Sequence, residues 1–479
     1  MYNVFMIVQV YSKLKENLFI DKIRKLIDSK FMMVLIVALA AISNIFGMEI
    51  PVYYIYTAII VTNVLFCDDM LALFPIACCG YMTFSKKNNP LSKEQTSIFL
   101  EQNAQTHMFI IGAIIATFVL TRIIFDIIKH KERRKKPKLF YGFVALGLAY
   151  IVGGAFSGFY SGKTAFFGLV QILALFFTYF CFYYTVDWNK VSKSYFPTLF
   201  TLIGFLMSFE VLNMLIDGGL FEAEGAFSRS KLFTGWGHYN NVASAFIFCL
   251  PAPFYFACTK KNGWIYSLIG TLFLLFIILN QSRNGMLMGT ITYLICVAVV
   301  LINTKGKEKL KHFIFFSIIL LGVILTLILL KDLLNNVFAS IYKVGTDDRG
   351  RITIYEKGLK QFLDNPIFGN GFYECKTFRW GVPYKDTDFL PPRYHNTYVQ
   401  ILASCGIAGI IAYIFHRIQT IKLVLEKRNL GNLIISVTLF GFIILSLFDC
   451  HFHNLGPGFL YSALLIFSEK VYSNKENLN

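Results

Sequence analysis

One apolar run after another constrains this chain more than any other feature. A run of roughly 17 to 25 apolar residues crosses ~30 Å of hydrocarbon as a helix. About fourteen such runs are present: 31–49, 50–67, 69–84, 106–129, 138–160, 165–186, 195–217, 239–258, 264–281, 284–303, 311–330, 394–416, 431–449 and 454–470. With 56% hydrophobic and only 15% charged residues, the 479-residue chain lacks the polar side chains to surface three soluble domains. The expected fold class is all-α, a polytopic membrane protein of about 12–14 transmembrane helices. Ala38-Leu39-Ala40 looks like a signal-peptidase site, but its thirty-residue lead and unbroken apolar continuation predict an anchor.

Net charge is +17, a balance that fits nucleic acid, anionic lipid or an anionic substrate, so position has to decide. With the N-terminus in the cytoplasm, 27 of the 45 basic residues fall in inner segments and 7 in short outer loops. Ten more lie in the long loop 331–393. The division is then a cytoplasmic, basic amphipathic segment 1–30, spans 1–11 over 31–330, an extracytoplasmic loop 331–393, and spans 12–14 with a cytoplasmic tail over 394–479. Membrane lipid accounts for the inner charge, and no nucleic acid is needed. Ten cysteines make no disulfide framework; only Cys375 and Cys450 are expected to face outside. There is no CxxC pair, and His451-x-His453 alone is too thin for zinc, so no metal site and no cofactor is assigned.

The unusual polar residues gather on the expected outer face. Loop 218–238 holds Arg229 and Lys231 and leads into Gly235-Trp236-Gly237-His238-Tyr239-Asn240-Asn241. A very short turn reads Gln281-Ser282-Arg283-Asn284-Gly285. In the long loop, Ile354, Leu359, Phe362 and Leu363 predict a helix stopped by Asn365-Pro366, with Arg349 and Arg351 at its beginning. Tyr394-His395-Asn396-Thr397-Tyr398 opens the next span. Arginine forks suit a diphosphate, although a lipid headgroup satisfies a single external arginine equally well. Arg283 stands apart, in a turn too short to be a solvated loop. A neutral His395 can take a proton from a sugar hydroxyl while arginines stabilise a departing diphosphate. A flippase or exporter of a lipid-linked saccharide is the alternative; it predicts charge along a central cavity.

The stretch HNTYVQILASCGIAGIIAYIF (395–415) resembles the signature of the O-antigen ligase and polymerase superfamily. GRITIYEKGLKQFLDNPIFGNGF (350–372) is similar to its Arg, aromatic, Pro-x-x-Gly-x-Gly element, SRNG (282–285) to its Ser-Arg turn, and Asn240-x-x-Ala243 with Pro251 to its Asn-bearing span. Two positions depart from the pattern: Ser404 stands where an acidic residue is common, and Tyr355 where tryptophan is usual. The resemblance implies a membrane glycosyltransferase of GT-C type acting outside the cytoplasmic membrane without nucleotide sugar or metal. It implies an undecaprenyl-diphosphate-linked glycan donor and, as acceptor, a lipid A core sugar or a lipid-linked repeat unit. On matching positions, Arg283 and Arg351 would hold the diphosphate, with Arg229 and Arg349 as neighbours, and His395 would activate the acceptor. Asn396, Asn240 and Ser282 would support them.

Overall fold

The computed structural model describes residues 18–83, 87–88, 95–96, 102–130, 135–158, 160–217, 232–332, 335, 351–372 and 393–473. In chain order the helices are α1 (Leu18–Ile27), α2 (Lys30–Phe46), α3 (Glu49–Phe66), α4 (Phe74–Cys79), α5 (Gln102–Lys129), α6 (Phe140–Ile151), α7 (Gly162–Thr185), α8 (Tyr195–Asp217) and α9 (Tyr239–Cys249). They continue with α10 (Ala252–Thr259), α11 (Trp264–Leu279), α12 (Arg283–Asn303), α13 (Gly306–Leu329), α14 (Arg351–Asp364), α15 (Thr397–Leu425), α16 (Leu430–Leu445) and α17 (Leu455–Phe467). Among the described residues, strands are limited to two-residue pairs.

Seven helices are long and apolar enough to cross a membrane, and two bent pairs raise this to nine. Shorter apolar helices, α6, α11 and α16 among them, pack against the longer ones. The expected span 138–160 is shorter because the chain turns at Gly153-Gly154, and 69–84 is a succession of short helical segments. α13 shows why this is a membrane protein: Ile318, Leu321 and Leu329 are 62%, 57% and 74% exposed, an apolar surface that water would not tolerate. α1 lies at 65° to α2, with Leu18, Phe19 and Leu26 exposed beside Arg24 and Lys25, the arrangement of an interfacial helix.

The connections gather at two ends of the bundle. At one, Lys138 pairs with Glu426, Asn429 donates to Tyr472 O, and Tyr472 Oη donates to Lys193 O. At the other, residues 238–240, 282, 395 and 449 meet.

Two buried arginines brace the helices. Arg122, within 8% of full burial, donates through Nε to Asp126 at 2.9 Å and through its Nη atoms to the carbonyls of Val64, Cys67 and Asp68. It therefore caps the C-terminus of α3, satisfying carbonyls that no later turn can reach. Reaching for the membrane surface, the ordinary explanation for an arginine near a span end, does not apply. Arg417 on α15 sits among Tyr413, Phe452 and Tyr461, 4.7, 4.7 and 5.0 Å from their rings, and joins α15 to α17.

α15 is broken. Gly406 takes φ 60° and ψ −154°, a combination almost confined to glycine. Fifteen residues of straight helix span about 22 Å, yet the rings of Tyr398 and Tyr413 lie 5.5 Å apart. The expected span 394–416 is thus two segments, 397–405 and 407–425, folded toward one another. The break strands backbone groups, and the segment after α14 satisfies them. Asn370 N donates to Ala403 O and Gly371 N to Ser404 O, both at 2.8 Å, while Ile407 N and Ala408 N donate to Pro366 O and Ile367 O. A side chain on Gly369 would stand 2.5 Å from the Ser404 carbonyl carbon, which explains the glycine there.

Candidate functional site

The site is built where helices begin. α9 starts at Tyr239, α12 at Arg283, α14 at Arg351 and α15 at Thr397. Hydrogen bonds tie three of these starts together. Ser282 caps α12, its Oγ accepting from Gly285 N, and donates to Asn240 Oδ1 at 2.8 Å. Asn240 Nδ2 donates to Asp449 Oδ2 at 3.2 Å, and Asp449 Oδ1 faces His395 Nδ1 at 3.2 Å. The fourth is joined to them through Tyr355 of α14, whose Oη donates to His395 O at 3.2 Å, and the phenol of Tyr239 lies within electrostatic reach of Arg283, Arg351 and Asp449. Helix N-termini present unbonded N–H groups and the positive ends of their dipoles, so this end of the bundle favours an anion before any side chain is counted.

His395 is held from both sides. Its backbone is left-handed, φ 47°, uncommon for a residue with a Cβ. Tyr355 Oη donates to His395 O at 3.2 Å. Asn396 accepts from Tyr398 N and Val399 N as the cap of α15, and its Nδ2 donates to Leu447 O at 2.8 Å. α14 is fixed to the same place because Tyr394 Oη donates to Gln361, and Gly358 leaves room for Val399 and Tyr394. Tyr355 thereby keeps a ring-edge donor, the feature it shares with tryptophan. Ser404 is buried and accepts from Gln400 Nε2 at 3.0 Å, a structural contact.

Asp449 is 6% exposed. Burial alone would push its carboxyl up, but the hydrogen bond with His395 holds it well below the ordinary carboxylate range. Cys450 N also donates to Oδ1, at 2.7 Å. An ionised carboxylate only accepts, so Nδ1 of His395 carries the ring proton and Nε2 is the basic nitrogen. Burial pushes His451 down to about 4, so it is neutral beside the pair.

Of the residues singled out from sequence, His395, Asn240 and Ser282 are joined in one hydrogen-bonded chain, Arg283 follows directly on Ser282, and Arg351 lies at the same end. Asn396 positions the backbone. Arg229 and Arg349 lie outside the described residues, as does Cys375; Cys450 is buried with its thiol toward Gln400. Among the described residues, no group of three or more His, Cys, Asp or Glu is arranged to hold a metal. Asp449 is the residue that sequence reasoning missed. It is the one Asp, Glu, Lys or Arg between Arg428 and Glu469, and an ionisable residue in so apolar a tract is itself a sign of function.

Residues 268–414 match the family model described as O-antigen ligase. No curated protein matches the sequence. The matched segment contains Arg283, Arg351, His395, Asn396 and the break at Gly406, and it supports placement in the O-antigen ligase and polymerase superfamily; the apolar helices support a multi-pass membrane protein. Asn240 and Asp449 lie on either side of the matched segment and reach into its site.

Proposed function

We propose that the protein transfers a glycan from an undecaprenyl-diphosphate-linked donor to an acceptor sugar at the outer face of the bacterial cytoplasmic membrane, with both termini inside. It acts as a surface-polysaccharide ligase or polymerase of GT-C type, without a metal. The acceptor is a lipid A core sugar in the first case and a lipid-linked repeat unit in the second. The observation that carries this reading is the chain Ser282–Asn240–Asp449–His395, which orients an imidazole beside arginines at converging helix starts.

In the reaction, an acceptor hydroxyl attacks the anomeric carbon of the donor. As the new C–O bond forms, the bond to the diphosphate breaks and that group leaves with the electron pair. His395 Nε2 takes the hydroxyl proton, and the imidazolium is stabilised through Nδ1 by Asp449. Arg283 and Arg351 bind the diphosphate and neutralise its growing charge, with Arg229 and Arg349 as further donors. Asn240, Ser282 and Asn396 are positioning residues. A flippase reading receives less support, since two of the buried cations of the described core are taken up by helix capping at Arg122 and by aromatic rings at Arg417, which leaves Glu210 as the buried charge in the middle of a span.

The test is His395→Ala and Arg283→Ala in cells whose surface polysaccharide depends on this protein. Each is expected to abolish polymer or ligated product while the protein stays in the membrane at normal level. Normal product from both variants contradicts the mechanism.

A further inference from the structure

At the end of the bundle opposite His395 lies a cavity of about 560 Å³, walled by the segment 188–194, the end of α10 and the turn 470–471 that follows α17. That volume is within the ordinary range of small-molecule sites, ~300–1,000 Å³. Its polar lining is one-sided. Lys193 and Lys260 contribute positive charges, Lys470 lines it as well with its ammonium on the Tyr183 ring, Ser192, Ser194 and Thr259 contribute hydroxyls, and no carboxylate lines it. The acids nearest in sequence are engaged elsewhere. Asp187 pairs with Lys190 at 3.0 Å, and Glu469 accepts from Tyr179 Oη and from Lys138 N at 2.8 Å. The walls are set before any ligand arrives. Lys470 Nζ rests 3.4 Å from the centre of the Tyr183 ring, and Tyr472 Oη donates to Lys193 O at 2.6 Å, tying two walls together. The N-terminus of α8 begins directly after Ser194 and adds its positive end to Lys193 and Lys260.

We propose that this cavity binds a phosphate-bearing anion, either the headgroup of an anionic phospholipid or a soluble phosphate. The basic-residue count puts this end on the cytoplasmic side, where a basic pocket between spans meets inner-leaflet headgroups. The site is separate from the proposed glycan-transfer site and does not depend on it.

The experiment uses the full-length protein in nanodiscs of phosphatidylcholine alone or with phosphatidylglycerol, and, in a second arm, in lipid-free detergent titrated with inorganic phosphate. Thermal midpoint and retained lipid by native mass spectrometry are read for wild type, for Lys193→Gln with Lys260→Gln, and for a control pair on the same face, Lys305→Gln with Lys307→Gln. Wild type is expected to retain phosphatidylglycerol and melt higher with it; the cavity pair should weaken this by about 30-fold, at roughly one screened charge contact per lysine, and the control pair should not. Protection by phosphate but not by phosphatidylglycerol, lost in the cavity pair alone, supports the proposal with a soluble ligand. The proposal is overturned if neither ligand separates wild type from the cavity pair, or if the control pair loses as much.

Discussion

Replacing Asp449 by asparagine keeps the size of the side chain and removes its charge. Three donors converge on the carboxylate, His395 Nδ1 and Cys450 N at Oδ1 and Asn240 Nδ2 at Oδ2. An amide has one acceptor oxygen. If it stays toward His395, its NH₂ meets the NH₂ of Asn240, and turning Asn240 over breaks the bond from Ser282. The larger effect is on the imidazolium. With His395 27% and Asp449 6% exposed, the pair is shielded enough for its charge to count. Unit charges ~4 Å apart at an effective dielectric of about 20 attract by about 4 kcal/mol, and ~1.4 kcal/mol is tenfold in rate. Because a hydrogen bond survives in the variant, a fall of about 10²- to 10³-fold in kcat is expected, with the KM for the lipid-linked donor changed less than threefold on the order used to separate binding from catalysis. The assay is glycan transfer by purified protein in liposomes, with Asp449→Asn measured alone and in a His395→Ala background. Once His395 is gone, the second change should cost almost nothing. Two results refute the reasoning: an Asp449→Asn enzyme with near-normal kcat, or a full additional loss on top of His395→Ala.

Arg283→Lys should be nearly as poor as Arg283→Ala in the same assay, because a point charge cannot reproduce a two-pronged contact with diphosphate; activity close to wild type would reduce Arg283 to a simple counter-charge. Gly406→Ala places a Cβ 2.5 Å from the backbone of Ile367 at a φ of 60°, and a loss of about 3 kcal/mol or more, read as a lower melting temperature and faster proteolysis, is expected. Burial holds His451 down to about 4 and His453 to about 3, against ~6.5 in an unfolded chain. The unfolded chain then binds more protons, so stability is complete above about pH 6.5 and falls as the pH drops toward 4. Melting curves in detergent across that window check it, and His453→Gln should flatten the decline; a profile unchanged by the substitution contradicts the assignment.

Much of the architecture is written in run length, because backbone polarity in lipid leaves the chain little choice but helix. The spans misjudged were those interrupted from within. α15 looks continuous from Thr397 to Leu425, and nothing local to Gly406 tells whether that glycine continues a helix or reverses it. The answer lies in the segment 366–371, whose backbone fills the break. The same contact gives the glycines of the two resembling motifs one physical cause, close backbone approach, which a linear reading treats as two separate signatures. Arginines and the histidine were legible as types suited to phosphate and to proton transfer, and three of the residues named from sequence meet in one chain. Asp449 was not, since it lies 54 residues beyond His395 and only the packing of the 446–454 turn against the start of α15 brings it near. Arg417 was passed over for a similar reason: in sequence it follows a span and counts as an inner-side charge, whereas in the fold it is enclosed by rings.

Reconstitution tests the proposed glycan transfer most directly. Purified protein in liposomes receives an undecaprenyl-diphosphate-linked repeat unit as the only glycan, then lipid A core as a second acceptor, with the product resolved by gel and mass spectrometry. His395-dependent transfer that releases undecaprenyl diphosphate is expected, as chain lengthening in the first condition for a polymerase or only after core is added for a ligase. No transfer to either acceptor by well-folded protein, or equal transfer by the His395→Ala variant, would contradict it.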